Sequence, residues 1–282
     1  MPQLTWLITG CTSGFGVLLA EIALGRGDRV IATARGGLER LTGLKQAGAA
    51  VLELDVISPQ AELDKIVEKA IKIYGGIDVL VNNAAYIDAA LVETLSHERL
   101  LASFNTNLFG AINLTRAILP HFRQKKDGIL VYLGSVGGWN GAVGTGAYCA
   151  TKFAMEGYVE CLQLEINSFG IRSVIFEPGY YRTKMFHPDN VKVSDLTIPD
   201  YKESYDGLMA MVANINGRQP GDPKKACELM VDVVRQEGLA AGKQIPPRLP
   251  IGADGIREVR NKCMATLKLV EEWESVVSDT NV

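Results

Sequence analysis

Long apolar runs are missing from this 282-residue sequence: no uninterrupted stretch approaches the roughly 18 residues a helix needs to cross a bilayer. The opening Met1-Pro2-Gln3 also lacks the basic segment of a secretory signal, so a soluble, cytoplasmic chain is expected. Lys and Arg never gather into long blocks, and the formal net charge is −3. Nucleic-acid and membrane partners are therefore not expected, because phosphates and anionic lipids are bound by a basic stripe. The five cysteines, Cys11, Cys149, Cys161, Cys227 and Cys263, are odd in number and scattered. Without a C-x-x-C pair they suggest neither a disulfide framework nor a metal site, and they are expected to be reduced, mostly buried thiols. No internal repeat and no linker interrupts the chain.

What is present is apolar material in short alternating pieces. With 47% hydrophobic and 22% charged residues, the chain can bury a sheet on both faces, and its length suits one large α/β domain. The run Leu4-Thr5-Trp6-Leu7-Ile8-Thr9 ends in a glycine-rich turn, and a helical pattern follows from about Gly14 to Arg26. Further strands are expected at Arg29–Ala34, Ala50–Leu54, Ile77–Val81, Gly128–Leu133 and Arg172–Phe176. Helical spacing separates them, as at Ala61–Tyr74 and Gly146–Phe169. Strands alternating with helices predict a mainly parallel, doubly wound sheet, whose ligands bind beyond the carboxyl ends of the strands. Polar and glycine-rich residues cluster at those ends: Gly10 to Gly16, Arg35, Asp55, Asn82-Asn83, Ser135 and Pro178-Gly179.

Two of these placements carry specific chemistry. The turn Thr9-Gly10-Cys11-Thr12-Ser13-Gly14-Phe15-Gly16 spaces its glycines so that backbone N–H groups can approach a pyrophosphate at a helix N-terminus. Alone, it would equally serve as a tight connection. Tyr148 lies four residues before Lys152 on an expected helix, so the two side chains share a face about one turn apart. A phenol titrates near a pKa of about 10, and a nearby cation eases its exchange of a proton with an alkoxide.

With T-G-x-x-x-G-x-G at Thr9–Gly16 and Y-x-x-x-K at Tyr148–Lys152, the sequence resembles a classical short-chain dehydrogenase/reductase over nearly its whole length. Leu54-Asp55-Val56, Asn82-Asn83-Ala84, Asn107, Ser135 and the P-G-x-x-x-T run Pro178–Thr183 extend the likeness. The resemblance implies a single Rossmann-type domain over residues 1–282. Residues 1–135 would mainly bind cofactor, 136–217 would carry the catalytic helix and substrate loop, and 218–282 would add C-terminal helices and the last strand. It further implies that Tyr148 gives a proton, Ser135 holds the carbonyl oxygen, Lys152 binds the nicotinamide ribose and Asn107 helps relay protons through water.

Cofactor contacts are implied for Gly10, Thr12, Ser13, Gly14, Phe15, Gly16, Asp55, Val56, Asn83, Ala84, Pro178, Gly179, Tyr181 and Thr183, besides Tyr148 and Lys152. A homodimer or homotetramer, a small-molecule carbonyl or alcohol substrate and no metal complete the implied picture. Two departures stand out: Ala85 occupies the place of the usual glycine after Asn-Asn-Ala, and Phe15 that of the usual Ile.

Cofactor choice turns on the end of the second strand, where a carboxylate favours NAD and a basic side chain favours the 2′-phosphate of NADP. No Asp or Glu occurs between Arg35 and Glu39, and Arg35 lies 19 residues beyond Gly16, so NADP(H) is expected. The expected function is NADPH-dependent reduction of a ketone or aldehyde, on a bulky apolar substrate. NADP-dependent alcohol oxidation by the same site, or a non-catalytic dinucleotide sensor, are the alternatives. The segment Tyr180–Gly217, with Met185, Phe186, Tyr201, Tyr205, Leu208, Met209 and Met211, is either a lid that wraps an apolar ligand or the inner face of an ordinary amphipathic helix. Trp139 is either pocket wall or packing, and Gly252–Val282 is expected to be a helix on the domain.

Overall fold

The computed structural model describes residues 2–187 and 190–280. Its strands are β1 (Thr5–Ile8), β2 (Arg29–Ala34), β3 (Ala50–Glu53), β4 (Val79–Asn82), β5 (Ile87–Ala89), β6 (Gly128–Leu133), β7 (Ile171–Pro178), β8 (Val191–Val193) and β9 (Arg248–Ile251). Around them run helices α1 (Gly14–Gly25), α2 (Thr42–Gln46), α3 (Gln60–Tyr74), α4 (His97–Phe104), α5 (Gly110–Lys125), α6 (Gly146–Ile166), α7 (Lys202–Ile215), α8 (Pro223–Arg235) and α9 (Ala253–Val277). Seven strands form one parallel sheet in the order β3-β2-β1-β4-β6-β7-β9, which confirms the doubly wound α/β fold.

A parallel sheet is covered on both faces, so its strands read as nearly continuous apolar runs instead of a regular apolar–polar alternation. β1 and β6 are buried residue for residue. Trp6 and Ile8 enter one layer with Leu19 of α1 and Met230 of α8, while Leu7 enters the other with Leu63 of α3, Leu114 of α5 and Met155 of α6. From β1 the chain winds outward to β3 and then returns to lay β4 against the other side of β1. The winding reverses there, and the crevice beyond β1 and β4 opens.

Helix boundaries follow local chemistry. The Asp222 carboxylate accepts from the Lys224 and Lys225 amides, and Pro223 takes the first helical position of α8, where no N–H is needed. α6 stops at Ile166, short of the expected Phe169, because a 3₁₀ turn at Asn167–Phe169 leads into Gly170 at φ 71°. β4 begins two residues later than expected, the Ile77 amide donating to His121 Nε2 before the strand starts.

The C-terminal segment corrects its expectation. α9 forms, but Gly255 is its only buried residue and every residue from Asn261 to Thr280 is exposed, so the helix leaves the domain instead of covering it. An apolar stripe announces that a face is to be covered without saying by what. Residues 281 and 282 of the expected tail, like Met1 at the other end, lie outside the described residues.

One buried ion pair ties α8 to the first strand pair. Asp28, just before β2, accepts from the Leu4 amide at 2.9 Å and from Trp6 Nε1 at 2.8 Å, and it pairs with Arg235 at the end of α8. Both charges are nearly inaccessible, at 0% and 6% side-chain exposure. Removing one partner strands the other in a low-dielectric interior. Arg235→Ala is expected to lower the unfolding free energy by roughly 3 kcal/mol or more in urea titrations. Arg26→Ala, which breaks more exposed ion pairs to Asp232 and Glu237, should cost about 1 kcal/mol or less in the same measurement.

Candidate active site

A cavity of about 910 Å³ runs along the carboxyl ends of the sheet strands. At one end the turn after β1 lines it with Gly10, Thr12, Ser13, Gly14 and Phe15. Gly10 and Gly14 sit at φ 70° and 60°, which lets the chain turn sharply into α1. The Ser13 side chain makes no cap bond, so the first N–H groups of α1 remain open toward an anion.

Gly16 does not line the cavity. A Cβ there would lie 2.3 Å from the Gly10 carbonyl oxygen and 2.7 Å from Asn83 Nδ2, so this glycine lets helix and turn pack closely. Asn83 Nδ2 donates to the Thr9 and Gly10 carbonyls at 2.7 and 3.2 Å, while Thr9 Oγ1 accepts from the Asn83 and Ala84 amides. Phe15, the departure from the family pattern, packs edge-on against Tyr181 with ring centroids 5.5 Å apart. Ala85 lines the cavity with its extra methyl.

Arg35 is exposed at the end of β2 and lines the same end of the cavity, as do Asp55 and Val56 after β3. Asp55 Oδ1 accepts from the Ile57 amide at 3.2 Å, which fixes the turn it sits on. Arg40 also lines this end, and its guanidinium donates to the Arg35 and Gly36 carbonyls. Sequence reasoning passed over Arg40, although a second base five residues after Arg35 was visible.

At the other end, β6 delivers Ser135 and the first turns of α6 deliver Tyr148 and Lys152. Ser135 Oγ accepts from the Gly137 amide at 3.0 Å. Burial pushes the Tyr148 phenol up to about 12, and the hydrogen bond with Ser135 works against that rise. Lys152 is 2% exposed; its Nζ donates to the Leu133 carbonyl and lies 5.6 Å from the centre of the Tyr148 ring. Burial lowers the lysine to about 8, and the nearby Glu156 carboxylate opposes that fall.

Asn107 is 1% exposed, in a widened turn at Asn105–Phe109 between α4 and α5, and it does not line the cavity. Its side chain donates to the Tyr86 carbonyl and accepts from the Tyr86 amide, both at 3.0 Å. Tyr86 itself lines the cavity, so Asn107 positions part of the wall through it.

Beneath Ser135 lies a charged cluster that sequence reading missed. Glu156, one turn after Lys152, is 4% exposed and faces Glu177 of β7, which is 0% exposed. Arg248 of β9 bridges both, at 3.1 Å to Glu156 and 2.7 Å to Glu177, and reaches Glu160 at 2.8 Å. A Cβ on Gly134 or Gly138 would come within 3.0 or 3.1 Å of Glu156 Oε1, so the two glycines flanking Ser135 admit that carboxyl. Burial pushes Glu156 up to about 8, with Glu177 adding to the rise and Arg248 resisting it. Trp139 stacks on the Arg248 guanidinium at 4.2 Å and does not line the cavity, which decides for packing.

The loop after β7 closes the cavity. Pro178, Gly179, Tyr181 and Thr183 line it, and the Thr183 Cβ lies 3.6 Å from where a Gly14 Cβ would sit. The following segment divides between cavity lining and core packing. Met185, Phe186 and Met211 line the cavity, whereas Leu208 and Val212 of α7 pack against Ile87, Ala89 and Val191. Tyr205 is half-buried, Met209 is exposed, and Tyr201 donates to Glu93 Oε2 at the surface. Pro188 and Asp189 of this segment lie outside the described residues. β8 pairs with β5 and so fastens the loop to the rim, and Lys192 of β8 joins the lining. Among the described residues no cluster of metal-ligating side chains occurs, no helix is long and apolar enough to cross a membrane, and all five cysteines are free, Cys11, Cys149 and Cys227 buried and Cys161 and Cys263 exposed.

The family described as short chain dehydrogenase matches residues 5–193. Oxidoreductase BOA17 of Botryotinia fuckeliana is 33% identical over 280 residues, covering 96% of this chain and 97% of that protein. A short-chain dehydrogenase from Streptomyces avermitilis superposes with a TM-score of 0.88 at 34% identity, over 99% of this chain and 98% of the other. An actinorhodin polyketide ketoreductase variant, crystallised with NADPH, superposes at 0.69 and 28% identity, over 88% of this chain and 95% of its own.

The raised Glu156 has a consequence for stability. Its folded pKa of about 8 exceeds that of an unfolded glutamate, so the folded state holds the extra proton and loses that advantage as pH rises toward and through 8. Thermal melts should show Tm falling from pH 5 to pH 8, and Glu156→Gln should flatten this slope.

Proposed function

The chain belongs to the short-chain dehydrogenase family, and from that premise we propose that it reduces a ketone or aldehyde to an alcohol with NADPH, Tyr148 giving the proton. The observation that carries this reading is the convergence of Ser135, Tyr148 and Lys152 at one end of a cavity whose other end is a glycine-rich turn and an open helix N-terminus. That turn fits a dinucleotide: Gly10 and Gly14 leave backbone N–H groups uncovered, and Asn83 holds the turn in place. When bound there, NADPH supplies hydride to the carbonyl carbon.

The chain's own residues do the rest. The Ser135 hydroxyl and the Tyr148 phenol hold the carbonyl oxygen, and the phenol passes its proton to that oxygen as negative charge builds on it. A phenol near 12 is fully protonated at neutral pH, as a proton donor must be. Lys152 keeps one of its three donors on the Leu133 carbonyl, leaving others for the cofactor ribose and its charge for the phenolate that forms. Asn107 acts by holding Tyr86, and any water relay would pass along that wall. Met185, Phe186 and Met211 support a bulky apolar substrate, since each buried methylene contributes about 0.8 kcal/mol.

Arg35 favours NADPH because its guanidinium is a forked, charged donor for phosphate oxygens and no Asp or Glu follows β2 in the chain before Glu39 to take the ribose hydroxyls. Arg40 braces the same turn and adds a second positive charge. The polyketide ketoreductase with NADPH is in keeping with this preference.

Tyr148→Phe is expected to cut kcat by roughly 10² to 10⁴-fold with a polycyclic ketone, followed by NADPH absorbance, while NADPH still binds. Retention of more than a tenth of wild-type kcat would remove the assigned role. Arg35→Ala should weaken NADPH binding by about 10- to 150-fold and leave NADH nearly unchanged, in fluorescence titrations of both cofactors.

A further inference from the structure

Among the described residues, nothing packs on most of the length of helix α9, which stands away from the sheet. At about 1.5 Å per residue it is a rod of roughly 37 Å, and an amphipathic helix of this kind draws its stability from packing an apolar face. Its apolar residues are exposed: Met264 64%, Leu267 59%, Val270 56%, Trp273 53% and Val277 54%. Ile256, Val259, Cys263, Thr266, Val270, Trp273 and Val277 recur at alternating intervals of three and four. That is the heptad spacing of a two-helix seam, with one Thr among apolar positions.

Charge divides the same helix in two. Arg257, Arg260, Lys262 and Lys268 lie in the first part, with Asp254 and Glu258 as its only acids. Glu271, Glu272 and Glu274 lie in the last part, which has no base. A parallel pair would set base beside base and acid beside acid. An antiparallel pair centred on Leu267 sets the basic half of each helix along the acidic half of the other, with Arg260 opposite Glu274 of the partner subunit. Among the described residues neither Arg260 nor Glu274 has an ion-pair partner within its own chain. Five acids against four bases on the helix, three of the acids at its free end, disfavour an anionic lipid surface.

We propose that α9 docks antiparallel on α9 of a second copy of this chain, burying the seam through Val270 and Trp273 and matching Arg260 with the partner subunit's Glu274. The seam is rooted firmly, because the Asp254 carboxylate accepts the Tyr180 amide at 2.7 Å in the loop after β7. The resemblance implied a homo-oligomer without saying which surface makes it, and α9 is such a surface.

Sedimentation equilibrium of the full-length protein tests the idea. A variant carrying Val270→Glu and Trp273→Glu should have half the wild-type mass, with unchanged circular dichroism, since neither side chain packs on the domain. Arg260→Glu and Glu274→Arg, each alone, should weaken self-association about tenfold, because each sets like charges together twice across the twofold. Mixed, the two variants should associate as tightly as wild type, since each helix then meets its opposite charge at both positions. A monomeric wild type, an unchanged mass for the double seam variant, or no recovery on mixing would overturn the proposal. So would co-sedimentation of wild type with phosphatidylserine vesicles in place of self-association.

Discussion

Thr9 and Asn83 join the ends of two strands that are far apart in sequence and adjacent in the sheet. The Thr9 amide donates to the Val81 carbonyl, its hydroxyl collects the two amides that follow β4, and the Asn83 side chain returns two bonds to the turn. The glycine-rich turn therefore cannot drift relative to β4, and α1 starts where that turn aims it. Gly16 is fixed by the same arrangement, its α-hydrogen lying where a methyl would strike the Gly10 carbonyl. Every other group at the crevice is positioned relative to this junction, because β1 and β4 are where the winding reverses.

Around the reacting end, buried charge takes over the role that backbone bonds play around the turn. Lys152 enters the interior on a carbonyl of β6, and Glu156 follows it one helical turn later into contact with Glu177 and Arg248. Buried carboxylates need a cation or a proton, and here the Arg248 guanidinium donates to Glu177 while Glu156, whose oxygens find no hydrogen-bond partner among the described residues, is held toward its protonated form by burial and by Glu177. Gly134 and Gly138 make room for the carboxyl on either side of Ser135, so the loop bearing the serine rests on the cluster that also faces the lysine. Proton affinity at Tyr148, Lys152 and Glu156 is thus set mainly by one common cause, exclusion of water.

The closing loop is held differently. Asp88 of β5 is 1% exposed and pairs with Arg99 of α4, which also donates to the Lys192 carbonyl of β8. Two strands of three residues could not persist alone, and the ion pair between the buried Asp88 and the half-buried Arg99 gives them a fixed anchor. The cavity wall that faces a substrate is consequently a mixture of firm rim and apolar loop, Tyr86 and Lys192 belonging to the first and Met185 and Phe186 to the second.

The positions of six sheet strands, their parallel winding and the helices α1, α3 and α6 were legible in the sequence, because parallel strands buried on both faces leave apolar runs and because glycine and helical spacing act within a few positions of where they stand. The glycine turn and the Tyr148–Lys152 pair were legible for the same reason: their chemistry is local, set by spacing along one turn or one helix. The Glu156–Glu177–Arg248 cluster, the tethering of Asn107 to Tyr86, the place of Trp139 on Arg248 and the short β5–β8 pair were not. Each joins residues from different elements, and their spacing along the chain carries no trace of that meeting. For α9 the sequence determined a helix with one apolar face, and only the tertiary structure decided that the domain has no surface against it, since amphipathicity fixes which side is to be buried and the path of the whole chain fixes what lies opposite.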